Sequence, residues 1–175
     1  MMSEEVCLTC RRPKGAQKNA KSQLLHCEVC AEWVCRDCVQ TIEENAFAFL
    51  QKVPEILSHQ SYCQLCFDQH VVPAADSYRE VLERAKLVYF FFASQKRAIP
   101  LIKKAKDRIY VKDCLDRDET VLRLAFQAAE QNHNAVIEAE VVGAKVRNHA
   151  YQTSRWSGEG IAATVDADKM ERSFI

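Results

Sequence analysis

The placement of the cysteines constrains this chain more than any other feature. Eight of the nine fall into four Cys-x2-Cys pairs: Cys7/Cys10, Cys27/Cys30, Cys35/Cys38 and Cys63/Cys66. Such a pair forms a tight knuckle that turns two sulfurs toward one ion and leaves backbone amides free to bond them. Zinc takes four ligands in a tetrahedron at about 2.3 Å, so eight thiolates complete two closed sites. No position is left for water, which makes the zinc structural rather than catalytic. The middle knuckles are only four residues apart, between Cys30 and Cys35. That short gap favours pairing alternate knuckles, which threads the chain through both sites. Cys7, Cys10, Cys35 and Cys38 are then expected to hold one ion, and Cys27, Cys30, Cys63 and Cys66 the other. The alternative is consecutive pairing, as in two independent ribbons. A disulfide framework would need an oxidising compartment, and nothing at the start of the chain reads as a secretory leader.

Composition narrows the function. The chain has 175 residues, 48% of them hydrophobic, with four Gly and four Pro, so most of it should fold. The formal net charge of zero argues against wholesale polyanion binding. Four thiolates on one zinc carry about −2, so the loaded chain is more acidic than its formula suggests. The longest apolar run, Leu87–Ala93, has seven residues. A bilayer needs roughly 20, so a soluble cytoplasmic protein is expected. No Ser/His/Asp set, Gly-rich phosphate loop or open metal site is evident. Asp113, Asp116, Asp118 and Glu119 gather at a helix start, where acids stabilise the helix dipole. A non-enzyme is therefore expected. Arg11, Arg12, Lys14, Lys18 and Lys21 form a basic run without an acid. They are candidate contacts for an anionic surface, or a solvated loop offsetting the thiolate charge. No aromatic interleaves them for base stacking, so no specific nucleic acid is expected.

The x2, x4 and x2 spacings, His26 directly before Cys27, Trp33-Val34 before Cys35 and the closing CQLCFDQHV (Cys63–Val71) resemble the FYVE-type zinc finger. The resemblance covers about residues 5–72 and implies a two-zinc cross-brace. FYVE domains bind a phosphoinositide through a stretch rich in Arg and His; here that place reads QLLHCE. Leu24, Leu25 and Glu28 offer no charge-assisted donor to a phosphate. The specific lipid grip is expected to be missing. A PHD-type finger fits less well, because Cys35 and Ser61 stand where that family has His and Trp.

Between Cys38 and Cys63, Thr41 with Glu44 is a capping box for a helix carrying Ile42, Ala46, Phe49 and Leu50, ended by Pro54. Phe47 lies off that stripe and is expected in the core. His59 and His70 are expected to be spectators. Further on, Ser77 with Glu80 opens a helix along Tyr78, Val81, Leu82, Ala85, Tyr89 and Phe92. Leu87–Phe92 is rich in strand formers, so helix or strand stays open there. Asp107–Cys114 reads as a strand. A helix follows, capped by Asp116 and Glu119 and stopped by Asn132–Asn134. Ala135–Asn148 and the segment from Ala150 to Asp166 then pair as a hairpin. Cys114 is expected to be a buried hydrophobe, and His133 and His149 are not at ligand spacing with it. Tyr151 and Trp156 are interface anchors or core.

Ala135, Val136, Ile137, Gly160, Ala162 and Ala163 resemble matching positions of the YbjQ family over about residues 105–166. That family is described as heavy-metal binding, and its members assemble into rings by extending sheets between subunits. The expected fold is α+β. A finger over 1–72 is followed by a connecting segment over 73–106 and a strand–helix–strand–strand antiparallel domain over 107–175. The expected function is a structural double-zinc finger with a protein partner, carried on a domain that forms a homo-oligomer. An anionic lipid surface is the alternative partner.

Overall fold

The computed structural model of the chain describes residues 6–13, 24–96, 98–148 and 151–171. It is α+β and divides into two compact units, Met1–Tyr78 and Arg79–Ile175.

In the first unit, β1 (Leu24–His26) and β2 (Trp33–Cys35) pair antiparallel, Leu24 opposite Cys35 and His26 opposite Trp33. Leu24 and Val34 turn inward and are buried. The insert after Cys38 is not the helix that Thr41 and Glu44 predict. It is a chain of tight turns, Ala46 N–H to Glu43 O, Ala48 N–H to Asn45 O and Leu50 N–H to Phe47 O. Asn45 adopts φ 66°, which interrupts any helix. This path buries Phe47 against Leu57, Tyr62 and Val71, with Ile42 and Leu50 beside it. Core burial of one large aromatic, off the helical stripe, outweighs the local cap signal. The Tyr62 hydroxyl lies in the same cluster and donates to Ile56 O at 2.7 Å.

The next helix starts thirteen residues before Ser77. Residues Gln64–Cys66 (α1) run through a wide π turn, Phe67–Val71, into Val72–Ala85 (α2). Cys63 caps it, its sulfur accepting the Cys66 N–H at 3.4 Å. Ser77 and Glu80 are therefore mid-helix. Pro73 has no N–H and crowds the carbonyl four residues back; the π turn just ahead of it absorbs the mismatch.

The second unit holds a four-stranded sheet ordered β3-β5-β6-β4. Its strands are β3 (Tyr89–Phe92), β4 (Leu101–Cys114), β5 (Ala135–Asn148) and β6 (Tyr151–Val165). Leu87–Phe92 thus resolves as strand, and β4 begins six residues before Asp107. The sheet is not purely antiparallel, because β3 lies parallel to β5. The helix α3 (Arg117–Glu130) covers one face, packing Leu124 and Ala128 on Ile109, Val111, Cys114, Val136, Ala139 and Ala162. The other face buries Ile137, Ile161, Ala163 and Val165 under Phe91 and Met170, the last from α4 (Ala167–Glu171).

Both ends of α3 follow local chemistry. Asp116 accepts the Glu119 N–H at 2.7 Å, and the Glu119 carboxylate reaches back to the Leu115 N–H at 2.7 Å. At the other end Asn132 sits at φ 59°, its N–H bonding Ala129 O while His133 N–H bonds Ala128 O. That is a Schellman stop with Asn in glycine's usual place. Asn134 then fixes the start of β5, exchanging two bonds with the Val165 backbone at 2.8 and 3.0 Å. A bulge follows: Ile137 faces Ile161 and Glu140 faces Glu159, so Glu138 and Ala139 share Gly160. A Cβ at Gly160 would lie 2.5 Å from the Val136 side chain, which reserves the position for glycine.

Candidate metal centres

The four knuckles are of two kinds, and each cluster takes one of each. In the first kind the backbone closes on itself and exits through a left-handed residue. Cys7 N–H bonds Arg12 O, Arg11 N–H bonds Cys7 O, and Arg11 has φ 59°. Cys27 repeats this with Glu32 and Ala31, and Ala31 has φ 61°. In the second kind the cysteine opens a helical turn. Val39 N–H bonds Cys35 O, and Phe67 N–H bonds Cys63 O. The docking of the two kinds is repeated as well. Leu8 N–H reaches Trp33 O, and Glu28 N–H reaches Ser61 O. In both cases the residue after the first cysteine binds the residue two before the third.

This geometry gathers Cys7, Cys10, Cys35 and Cys38 into one group and Cys27, Cys30, Cys63 and Cys66 into another, all ligand atoms within 4.8 Å of one another in each. Alternate knuckles, not consecutive ones, share a cluster. Cys10 and Cys35 sulfurs lie 3.7 Å apart, and Cys30 and Cys63 sulfurs 3.8 Å. A regular tetrahedron with bonds of about 2.3 Å has edges of about 3.8 Å. The groups are therefore the right size to hold a metal ion each, consistent with two zinc ions.

The electrostatics are arranged in parallel. Burial pushes the Cys7 thiol up, but the amides of Cys10, Cys35 and Thr9 outweigh it and bring the thiol down to about 6. Burial likewise opposes, and the amides of Cys30, Cys63 and Val29 overcome it, to bring Cys27 to about 6. Burial and the neighbouring thiols drive Cys38 up to about 12 and raise Cys66 as well. Burial also raises Cys30 and Cys35. Without a cation, one thiol per cluster readily ionises and others resist. A dication reverses that resistance, since a coordinating thiol is deprotonated outright. The amides expected from the Cys-x2-Cys spacing are thus present at Cys7 and Cys27, joined by one from the partner knuckle, Cys35 and Cys63 respectively.

The neighbouring candidates divide. Glu28, in the place where the resemblance would put an arginine, is engaged internally. Its carboxylate accepts from Ser61 Oγ at 3.1 Å and from the Gln60 N–H at 3.3 Å, and faces His59 Nδ1 at 3.2 Å. His59 is thus placed on Glu28, and neither it nor His70 joins a cysteine group. Leu24 is 8% exposed and belongs to the interior, so it is not available to enter a membrane. Arg11 is exposed, while Arg12 is held 3.2 Å from Asp37. Lys14, Lys18 and Lys21 lie outside the described residues, as does His149. Trp33 stacks on His26 with ring centroids 3.6 Å apart. In the second unit Cys114 is buried in the α3-facing core, and His133 bonds Thr164 Oγ1 at 2.9 Å. Trp156 packs on the edge of that core, its indole 3.0 Å from where a Cβ on Gly143 would lie.

Comparison of the chain with family models, with curated proteins and with solved structures gives no match. Neither the FYVE nor the YbjQ resemblance gains support from them. Among the described residues no helix is long and apolar enough to cross a membrane.

Proposed function

We propose that this is a non-enzymatic zinc protein whose first unit is a FYVE-like interaction module and whose second, YbjQ-like unit joins copies of the chain together. The observation that carries it is the pair of four-cysteine groups, Cys7/Cys10/Cys35/Cys38 and Cys27/Cys30/Cys63/Cys66, each with its sulfurs gathered within reach of one ion. Four sulfurs satisfy a zinc ion completely, which leaves no site for an activated water. The ions then act as rivets, and the surface between the knuckles is what a protein partner meets. Trp33 stacked on His26 supplies a rigid aromatic at that surface, a residue type favoured at binding hot spots. Self-association of the second unit would multiply weak contacts of the first.

Metal analysis of the purified full chain should give two zinc ions per chain; a folded protein with one or none sinks the proposal. Peripheral binding to anionic lipid is the competing reading. It draws on exposed Arg11, but Glu28 adds a carboxylate beside Cys27 and Leu24 is interior. Co-sedimentation with phosphatidylserine vesicles at physiological salt decides between them, and recovery in the pellet would favour the lipid.

A further inference from the structure

The β5–β6 hairpin outruns its sheet. β4 last pairs with β6 at Cys114↔Trp156, and β3 last pairs with β5 at Phe92↔Ala139. From Ala144↔Arg155 to Asn148↔Tyr151 the hairpin continues as two strands alone among the described residues. Residues 144–147 and 153–155 are exposed. A lone two-stranded ribbon is marginal in water, so this one needs cover.

The face turned away from α3 suggests what covers it. Alternation places Tyr110, Glu140, Val142, Ser157 and Glu159 on that side, with Val146 and Arg155 further along. Val142 is 60% exposed, Tyr110 49% and Val146 43%. A cavity of about 290 Å³ opens there, lined by Tyr110, Lys112, Glu140, Val142, Ser157 and Glu159, so one lysine stands beside two carboxylates. Glu140 and Glu159 are direct cross-strand partners, and like charges so placed repel. Arg108 answers Glu159 at 3.0 Å and Glu138 at 2.8 Å. Among the described residues Glu140 has no ion pair, and neither has Arg155. Arg155 stands opposite Ala144, two positions beyond Val142 on the side away from Glu140. Val142 is thus midway between an unanswered acid and an unanswered base.

We propose that two copies of the chain pack these open faces together about a two-fold axis crossing the strands at Val142 and Ser157, so that Arg155 of each copy enters the cavity of the other between Tyr110, Glu140 and Glu159. The axis reverses the strand direction, which lays the Ala144/Arg155 row of one copy over the Glu140/Glu159 row of the other. Two Val142 side chains meet at the centre. Each guanidinium reaches carboxylates and can lie on the Tyr110 ring. A nucleic acid fits this face poorly, because Glu140 and Glu159 would repel phosphate, and Lys145 and Arg147 alternate to the opposite side. The inference rests on the reading of the second unit as the self-associating one.

Sedimentation velocity of the zinc-loaded full chain tests it. The wild type should show a concentration-dependent dimer. Arg155→Glu and Glu140→Arg should each weaken it by about tenfold or more. The combined R155E/E140R variant should recover it, because the pair is restored in reverse; unchanged circular dichroism would show that each variant is folded. A dimer or larger assembly that persists in both single variants, or no recovery in the double, overturns this surface and leaves self-association standing. A wild type that is monomeric at every concentration overturns both. If Arg155→Glu lowers retention of a DNA duplex while the mass stays unchanged, the ribbon is a polyanion contact and the dimer is wrong.

Discussion

The two units of the chain build their interiors from different materials. In the first, one buried cluster consists of Cys27, Val34, Cys63 and Cys66, so three of its four members are candidate ligands. The other is the small group around Phe47 and Tyr62. Its two paired strands have three residues each. The second unit has strands of up to fifteen residues and a helix of fourteen lying on the sheet. Its core between helix and sheet is Leu, Ile, Val and Ala, with Cys114 as one more small apolar side chain, and the opposite face adds Phe91 and Met170. A domain below about 80 residues seldom supports itself on apolar burial and adds a staple. The first unit has two four-cysteine groups of the right size to take that staple from metal. The second, Arg79–Ile175, is longer and closes a sheet under a helix instead.

Removing the metal should break this comparison open most widely. Structural zinc contributes about 10–16 kcal/mol of folding free energy in small fingers. A strong chelator, or Cys35→Ser, should therefore unfold the first unit and leave the second folded. The chain supplies one tryptophan per unit, Trp33 and Trp156. With 5-fluorotryptophan incorporated, the Trp33 resonance should collapse to its unfolded position while that of Trp156 stays. Joint loss of both would mean that the units do not fold separately.

The reciprocal experiment is smaller. Leu124 is fully buried between α3 and the sheet. Leu124→Ala should cost the second unit about 3 kcal/mol, transfer plus cavity. Zinc content and the Trp33 resonance should be unchanged. A fall in zinc content would show that the first unit depends on the second.

What the sequence made legible differs between the units for a related reason. Zinc ligation is chemistry at fixed spacing, so the alternate pairing of knuckles could be read from a four-residue gap. The α3 cap at Asp116 and Glu119, its stop at Asn132 and the β5–β6 hairpin were legible too, because each is decided by neighbours in the chain. The rest was decided at a distance. Thr41 and Glu44 carry a cap signal as good as that of Asp116 and Glu119, but burial of Phe47 and a left-handed Asn45 override it. The helix at Gln64 was missed because its cap is a thiol, outside the usual set of Ser, Thr, Asp and Asn. The parallel pairing of Tyr89–Phe92 with β5 joins segments more than forty residues apart, and no local pattern specifies that. In the cysteine groups the candidate ligands were visible, whereas Glu28 bound to Ser61 and Gln60 was not, since only folding brings them together.

The finest distinction between the units lies in their response to acid at sites away from metal. The Glu119 carboxyl is held below the usual carboxylate range, first by the Leu115 N–H, against burial, and with help from Arg123 at 2.9 Å. A group whose folded value is depressed stabilises the fold above its unfolded value, about 4.3 for Glu, and loses that contribution as pH falls through the folded value. Glu119→Gln keeps a carbonyl for the Leu115 N–H but removes the charge at the helix start. It should lower the stability of the second unit by about 0.5 kcal/mol at pH 7. Urea titrations followed at the Trp156 resonance should show the gap between wild type and variant closing as pH drops below about 4. A gap that stays constant would mean that the carboxylate acts as a neutral hydrogen-bond acceptor. A gap that widens toward acid would reverse the sign and remove Glu119 from the capping role.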